Sequence, residues 1–311
     1  MAFNTFVNNV AGNANATLIN ENFSFLIQES QSLFYQAYVP FTQSSGTSTF
    51  KSGKIYRFSS FDFTGGTIVV DGVTDQPIVI FVQGNANLTG GSIVLSELGL
   101  SGGTTTIGIG SAGTGTTIPG YSTLVANGGA KGGHGGGSGG GAGAASVNYT
   151  DFAAGQLSTA GFSNVFNLIV GSGGGAGGHS TIGGNTGNAG RGGASIIFIV
   201  DGNLNRTGVT VTLNGEDGDN GHAGGGGSGG GAGGNILWAH SGTVTGSSIF
   251  TSTGGSGGTG SVGEIGTGGG GGAGASGTSS NATSGANASG DTGGNGGNGG
   301  DGSEYTLDFS T

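Results

Sequence analysis

The segment GEDGDNG (215–221) gathers Glu216, Asp217 and Asp219, and clustered carboxylates are the donor set that calcium takes. The run GGNGGD (296–301) matches the opening of a calcium-binding nonapeptide. Ser303 stands where that motif needs an apolar residue, so the match stops there. An exposed acidic turn is the plainer reading, and no bound metal is expected; Glu216, Asp217 and Asp219 are the ligand candidates. His134, His179 and His222 each flank a glycine-rich tract, and His240 sits in a strand-like run. Their separations carry no local ligand spacing, and end-capping hydrogen bonds are the simpler use. Cleavage of a polysaccharide would need two carboxylates facing each other across a groove. Asp71, Asp75 and Asp201 are acidic and near strands, mostly at turns, but nothing pairs them. No Ser/His/Asp arrangement has a supporting context, the glycine runs lack the Lys-Ser/Thr of a phosphate-binding loop, and there is no cysteine. The chain is therefore expected to be no enzyme and to need no cofactor.

Side chains suited to recognition lie elsewhere. The insertion AASVNYTDFAAGQLSTAGFSNVFN (144–167) carries Tyr149, Asp151, Phe152 and Phe162, and IPGYST (118–123) places Tyr121 in a turn. Aromatics beside small polar residues suit protein and glycan surfaces. Phe162 and Phe166 have a core reading as the alternative, and for Phe166, in VFNLIV, core is preferred. The segment SGTSSNATSGANASGDTG (276–293) has no aromatic residue and reads as an exposed loop or plain disorder.

Charge and hydropathy limit the partners. The net charge is −10 with six Lys+Arg in 311 residues, which cannot neutralise a phosphate track, so nucleic acid is excluded. The longest aliphatic or aromatic runs, such as 78–82 and 196–200, are too short to span a bilayer, so no membrane insertion is expected. The opening MAFNTFVNNVAGNANATL has neither a basic stretch nor an apolar core of a secretion signal. The expectation is a cytosolic protein or one released by another route, such as virion assembly and lysis.

Three regions follow from the pattern. In residues 1–46, Ile19, Phe23, Leu26, Ser30 and Leu33 form a helical stripe, with Asn15 or Thr17 as the N-cap. That helix either packs on the end of the next domain or serves as a short docking or homo-oligomerising helix. Residues 47–127 read as a β-rich domain, with Lys51, Lys54 and Arg57 on a solvated strand face. Residues 128–311 form a glycine-rich repeat domain. Of 81 glycines, 71 follow residue 100. An internal repeat links the two larger regions. IVIFVQGNANLTGGSIVLS (78–96) laid over IIFIVDGNLNRTGVTVTLN (196–214) is identical at eight of nineteen positions, and ILWAHSGTVTGSSIFTST (236–253) is a shorter relative. Strand–turn–strand units of this kind predict an all-β architecture, either a β-helix or solenoid of stacked units or a β-sandwich of hairpins.

The sequence GGGSGGGAG occurs at 135–143 and again at 225–233, with GSGGGAG also at 171–177. Such tracts are ordinarily flexible linkers. Here they return the chain to strands of one kind, and TGGNGGNGGDG (292–302) is strictly G-G-x. Period three is that of an extended polyproline-II-type helix, and glycine on two of three faces lets such helices pack side by side. Collagen shares the period but needs abundant proline; this chain has three.

The repeated GGGSGGGAG, the G-G-x runs and the intervening polar loops resemble the Gly-rich domain of bacteriophage distal tail-fibre adhesins, the receptor-binding tips of T-even-like phages. The likeness covers 128–302; residues 1–100 lie outside it. It implies packed polyglycine-II helices whose intervening loops touch a host-cell surface protein or glycan. It also implies a location on the virion surface and attachment to other virion proteins through the N-terminal segment. Tyr121, Tyr149, Asp151, Phe152 and Phe162 become the receptor-contact candidates. A purely structural virion or filament protein would use the same helices without binding, and an ice-binding protein would use them as a flat slab.

Overall fold

The computed structural model describes residues 38–51, 54–72, 77–99, 101–103, 173–178, 188–263 and 282–308, with four two-residue strands between 105 and 126. The expected helix over residues 15–33 lies outside the described residues, among which no helix occurs.

The β-branched and aromatic runs form stacked coils, each with up to three limbs. Coil one supplies β1 (Val39–Gln43) and β2 (Thr47–Lys51). Coil two is β3 (Ile55–Phe63), which spans two limbs, and β4 (Thr67–Asp71). Coil three is β5 (Ile78–Val82), β6 (Ala86–Leu88) and β7 (Ser92–Val94). Two small ladders follow, β8 (Thr105–Thr106) with β9 (Ile109–Gly110) and β10 (Thr116–Thr117) with β11 (Val125–Ala126). Coil four is β12 (Ile196–Val200), β13 (Leu204–Asn205) and β14 (Thr210–Thr212). Coil five is β15 (Ile236–His240), β16 (Val244–Thr245) and β17 (Ile249–Thr251). Strand β18 (Glu304–Asp308) adds the first limb of a sixth coil.

Every pairing between coils is parallel and follows chain order. The antiparallel ladders between named strands are the two-residue pairs β8–β9 and β10–β11. A sandwich of hairpins would pair the repeats antiparallel, so the stacked reading holds and the hairpin alternative falls. The repeat alignment is also the physical register: Ile78 faces Ile196, which faces Ile236. The sheet crosses the composition boundary near residue 101, since β5 pairs with β12 and β7 with β14.

Stacking aligns like residues into ladders. Inward rows place Ile80, Phe198 and Trp238 in register, with Phe198 stacked on Trp238 at 4.8 Å and Phe61 edge-on to Phe198 at 5.5 Å. At the corner, Asn87 Nδ2 donates to Asp62 Oδ1 at 2.8 Å and Asn205 Nδ2 to Asn87 Oδ1 at 3.0 Å, a side-chain ladder across three coils. The interior row Ile78–Ile196–Ile236 ends in Glu304. Its Oε1 accepts from Trp238 Nε1 at 2.6 Å, from Arg206 at 3.0 Å and from the Ser248 hydroxyl, so a carboxylate closes the apolar column with its hydrogen bonds made. A second apolar cluster, including Val79, Ile197 and Leu237, lies on the opposite face of β5, β12 and β15, which explains why those strands are almost continuously apolar.

Truncating Phe198 removes a ring from the centre of this column. Phe198→Ala should cost about 3–5 kcal/mol in denaturant unfolding, whereas Ile249→Ala, at an exposed position, should stay within about 0.5 kcal/mol.

Candidate functional site

Between the strands, the glycine tracts leave the coils and come back. In coil four, residues 213–221 run outward, the chain reverses at 222–224, and 225–235 return to β15. Ala223 and Gly224 take positive φ there, 50° and 84°, which permits the reversal. Residues 252–263 leave β17, and 292–303 lead into β18.

The tracts bond to one another with period three. Nine consecutive N–H groups, 253–261, are directed to three different neighbours. Thr253, Ser256 and Thr259 donate to the side-chain oxygens of Asn214, Asp217 and Asn220 at 3.0, 2.6 and 2.8 Å. Gly254, Gly257 and Gly260 donate to those of Asp301, Asn298 and Asn295 at 2.9, 2.8 and 2.9 Å. Gly255, Gly258 and Ser261 donate to the carbonyls of Gly231, Ser228 and Gly225 at 2.8, 2.8 and 3.1 Å. The 225–234 tract does the same: Gly227, Gly230 and Gly233 donate to Gly294, Gly297 and Gly300, while Ser228, Gly231 and Gly234 donate to Asp219, Glu216 and Leu213. Burial follows the same period, with Ser252, Gly255 and Gly258 buried and Thr253, Ser256 and Thr259 exposed.

This spacing excludes side chains from the contact faces. A Cβ on Gly230 would overlap the carbonyl oxygen of Gly255, and one on Gly231 that of Arg191. Backbone meets backbone directly, which is why these positions are glycine.

The acidic cluster is part of this bonding. Glu216 Oε2 accepts from the Arg191 N–H at 3.0 Å and Asp219 Oδ2 from the Asn188 N–H at 2.9 Å, while Asp217 turns to Ser256. The three carboxylates thus serve two different tracts, and no group of three or more His, Cys, Asp or Glu side chains among the described residues is placed to hold a metal. His222 is exposed in the reversal. His240 is buried, and its Nδ1 donates to the Gly242 carbonyl at 2.8 Å. Asp71 ends β4 and is exposed, whereas Asp201 sits after β12 and accepts from the Ser241 hydroxyl at 3.1 Å. They occupy different corners of different coils. Asp75, His134, His179 and the receptor-contact candidates Tyr121, Tyr149, Asp151, Phe152 and Phe162 lie outside the described residues.

Two features escaped the sequence reading. Asn214, Asp217 and Asn220 have the same period-three spacing as Asn295, Asn298 and Asp301, but the intervening Glu216 and Asp219 make them read as an acidic turn. The stretch 282–290, read as a loop or disorder, forms a further layer: Thr283 and Ala286 donate to the carbonyls of Asn298 and Asn295 at 3.0 and 2.8 Å. Ala282, Gly285 and Ala288 are its less exposed positions, again every third residue.

No family model matches the chain, and no curated protein or solved structure matches it.

Two outcomes follow for the tracts. Gly230→Ala should destabilise by about 1–3 kcal/mol in thermal unfolding, the cost of overpacking a filled contact. Chelation of divalent ions should leave the unfolding midpoint unchanged; a lowered midpoint would reveal an ion held by the carboxylates.

Proposed function

We propose that the protein is a non-enzymatic virion-surface protein, a phage receptor-binding adhesin in which glycine tracts packed as polyglycine-II helices present loops to a host cell. The observation that carries this reading is the full pairing of the nine N–H groups 253–261 with three neighbouring tracts. A linker has no reason to place every third N–H against the same partner. A three-fold extended helix turns each successive N–H to a new side, which such a packed array requires. A rigid array of this kind is a platform on which insertions vary without disturbing the scaffold, since loops carry recognition when a frame positions them. The insertion 144–167, with Tyr149, Asp151, Phe152 and Phe162, and the turn holding Tyr121 are the contact elements.

Exchanging residues 144–167 for a loop of equal length and different sequence should change which host cells the protein binds while leaving its thermal midpoint in place. Unaltered binding would remove that loop from the contact, and absence of binding by the native protein would leave the purely structural role. Hydrogen exchange over 225–234 tests the platform itself: protection well above random-coil rates is expected, and coil-like exchange would end the polyglycine-II reading.

A specific observation favours a second reading, the ice-binding one. On the five-stranded sheet the outward row Thr47–Thr67–Ser92–Thr210–Ile249 and the shorter outward runs Thr49–Val69 and Val94–Thr212–Thr251 are uncharged and in register. Such rows repeat about every 4.8 Å across a sheet. Thermal hysteresis separates this reading from the adhesin.

A further inference from the structure

Asparagine is a thermolabile residue, and a following glycine makes it most prone to lose its side-chain amide, because an unhindered glycine nitrogen reaches the side-chain carbonyl carbon. The chain holds five Asn–Gly pairs. Four lie in the described tracts, at 214–215, 220–221, 295–296 and 298–299; the fifth, at 127–128, lies outside the described residues. Asn220, Asn295 and Asn298 are exposed and Asn214 is half-buried, so water reaches the sites.

All four pairs are held by the tract 252–261. Asn214 Oδ1 accepts from the Thr253 N–H at 3.0 Å, and the Gly215 N–H donates to the Thr253 carbonyl at 2.9 Å. Asn220 Oδ1 accepts from the N–H and the hydroxyl of Thr259 at 2.8 and 2.9 Å, and the Gly221 N–H donates to the Thr259 carbonyl at 2.8 Å. Asn295 and Asn298 accept from the N–H groups of Gly260 and Gly257 at 2.9 and 2.8 Å, while Gly296 and Gly299 donate to the carbonyls of Gly258 and Gly255 at 2.7 and 2.8 Å. In every pair the attacking nitrogen and the side chain it would attack are bonded to separate atoms of a neighbouring tract. Ring closure breaks both bonds.

We propose that Asn214, Asn220, Asn295 and Asn298 are latent deamidation sites, shut while the tracts are packed and opened when 252–261 separates from them. In the reaction the glycine nitrogen bonds to the Asn Cγ, and the amide nitrogen leaves as ammonia with the glycine proton. Water then opens the five-membered ring at one of its two carbonyls. One product is aspartate; the other is isoaspartate, whose main chain runs through Cβ. The two differ in fit. Asp217 and Asp301 already stand in the same rows, accepting from the N–H groups of Ser256 and Gly254 at 2.6 and 2.9 Å. The glycines after them, Gly218 and Gly302, donate to the carbonyls of Ser256 and Ser252, both at 2.8 Å. Aspartate therefore keeps the bond that Asn made. Isoaspartate adds a backbone atom and puts the rest of its tract out of step with the period-three bonding. Opening of the array is thereby recorded as a covalent change that prevents it from closing again.

The test is peptide-mapping mass spectrometry of the full chain held at mildly alkaline pH, with the same chain in guanidinium chloride as the reference. Each of the four sites should deamidate at least about a hundredfold more slowly in the native protein, because the reaction waits for the tract to open. Thr259→Pro removes the N–H and the hydroxyl that hold Asn220, at an exposed position of an extended tract that suits the fixed φ of proline. It should speed Asn220 about tenfold and leave Asn214, Asn295 and Asn298 at their native rates. Thr259→Val removes the hydroxyl bond alone and should act the same way, about threefold, should the proline variant fail to fold. Native rates equal to the denatured ones overturn the proposal, as does a folded variant that leaves Asn220 unchanged or speeds all four sites alike. After return from denaturant, chains carrying isoaspartate at any of the four positions should lack the native unfolding midpoint, while Asn298→Asp keeps it; isoaspartyl chains that regain the midpoint overturn the one-way step. No host cell enters the measurement, so its outcome is independent of the adhesin reading.

Discussion

Everything outside the coils depends on how unadorned backbone satisfies its own N–H groups. A glycine tract has no side chains to bury, so the hydrophobic effect does not hold it in place. A hydrogen bond returns about 1 kcal/mol net, and ordering a residue costs about as much or more. The tracts meet this constraint in two ways. Each is tied at an end to a strand of an apolar stack, and each meets several neighbours, so that little polar backbone is left unpaired. The tract 225–234 contacts 175–178, 190–193, 213–219, 255–261 and 294–300 by backbone hydrogen bonds.

The coils and the tracts share one stacking rule. Ile196 pairs with Ile236, and beyond the strands Gly190 donates to Gly229, Gly193 to Ala232 and Gly215 to Thr253. The tracts therefore continue each coil sideways and stack as the strands do. Where side chains exist they form ladders: Asp62–Asn87–Asn205 at the corner, and Asn214 and Asp217 toward Thr253 and Ser256. A residue whose side chain accepts an N–H of the next layer ties two layers together, the role that a hydrophobic side chain has inside the stack.

Much of this was legible in the sequence, for reasons that vary by element. The identity of IVIFVQGNANLTG with IIFIVDGNLNRTG gave the register outright, because a parallel stack sets equivalent residues face to face. The period of TGGNGGNGGDG pointed to a three-residue repeat but not to its partners, since those contacts join residues as far apart as Gly227 and Gly294 and carry no local mark. Glu216, Asp217 and Asp219 read as an acidic turn, and only weakly as metal ligands, because they are adjacent in sequence. The period-three bonding turns adjacent residues to different tracts, and sequence proximity there does not mean convergence. The layer 282–290 was missed because small polar residues look the same in a packed extended tract and in a disordered loop; only the recurrence of Ala282, Gly285 and Ala288 distinguishes them.

The same constraint limits what the tracts can vary. Within the tracts the N–H groups are committed to neighbours, as are the side-chain oxygens of Asn214, Asn220, Asn295 and Asn298. The contact positions tolerate no Cβ. A surface built this way has few groups left to vary, so on the proposed adhesin reading specificity would come from chain inserted between tracts. Aromatic side chains are absent from 252–263 and 282–303 and gather in 144–167, the distribution that proposal requires. On that proposal the packed tracts supply position and the insertions supply the chemistry.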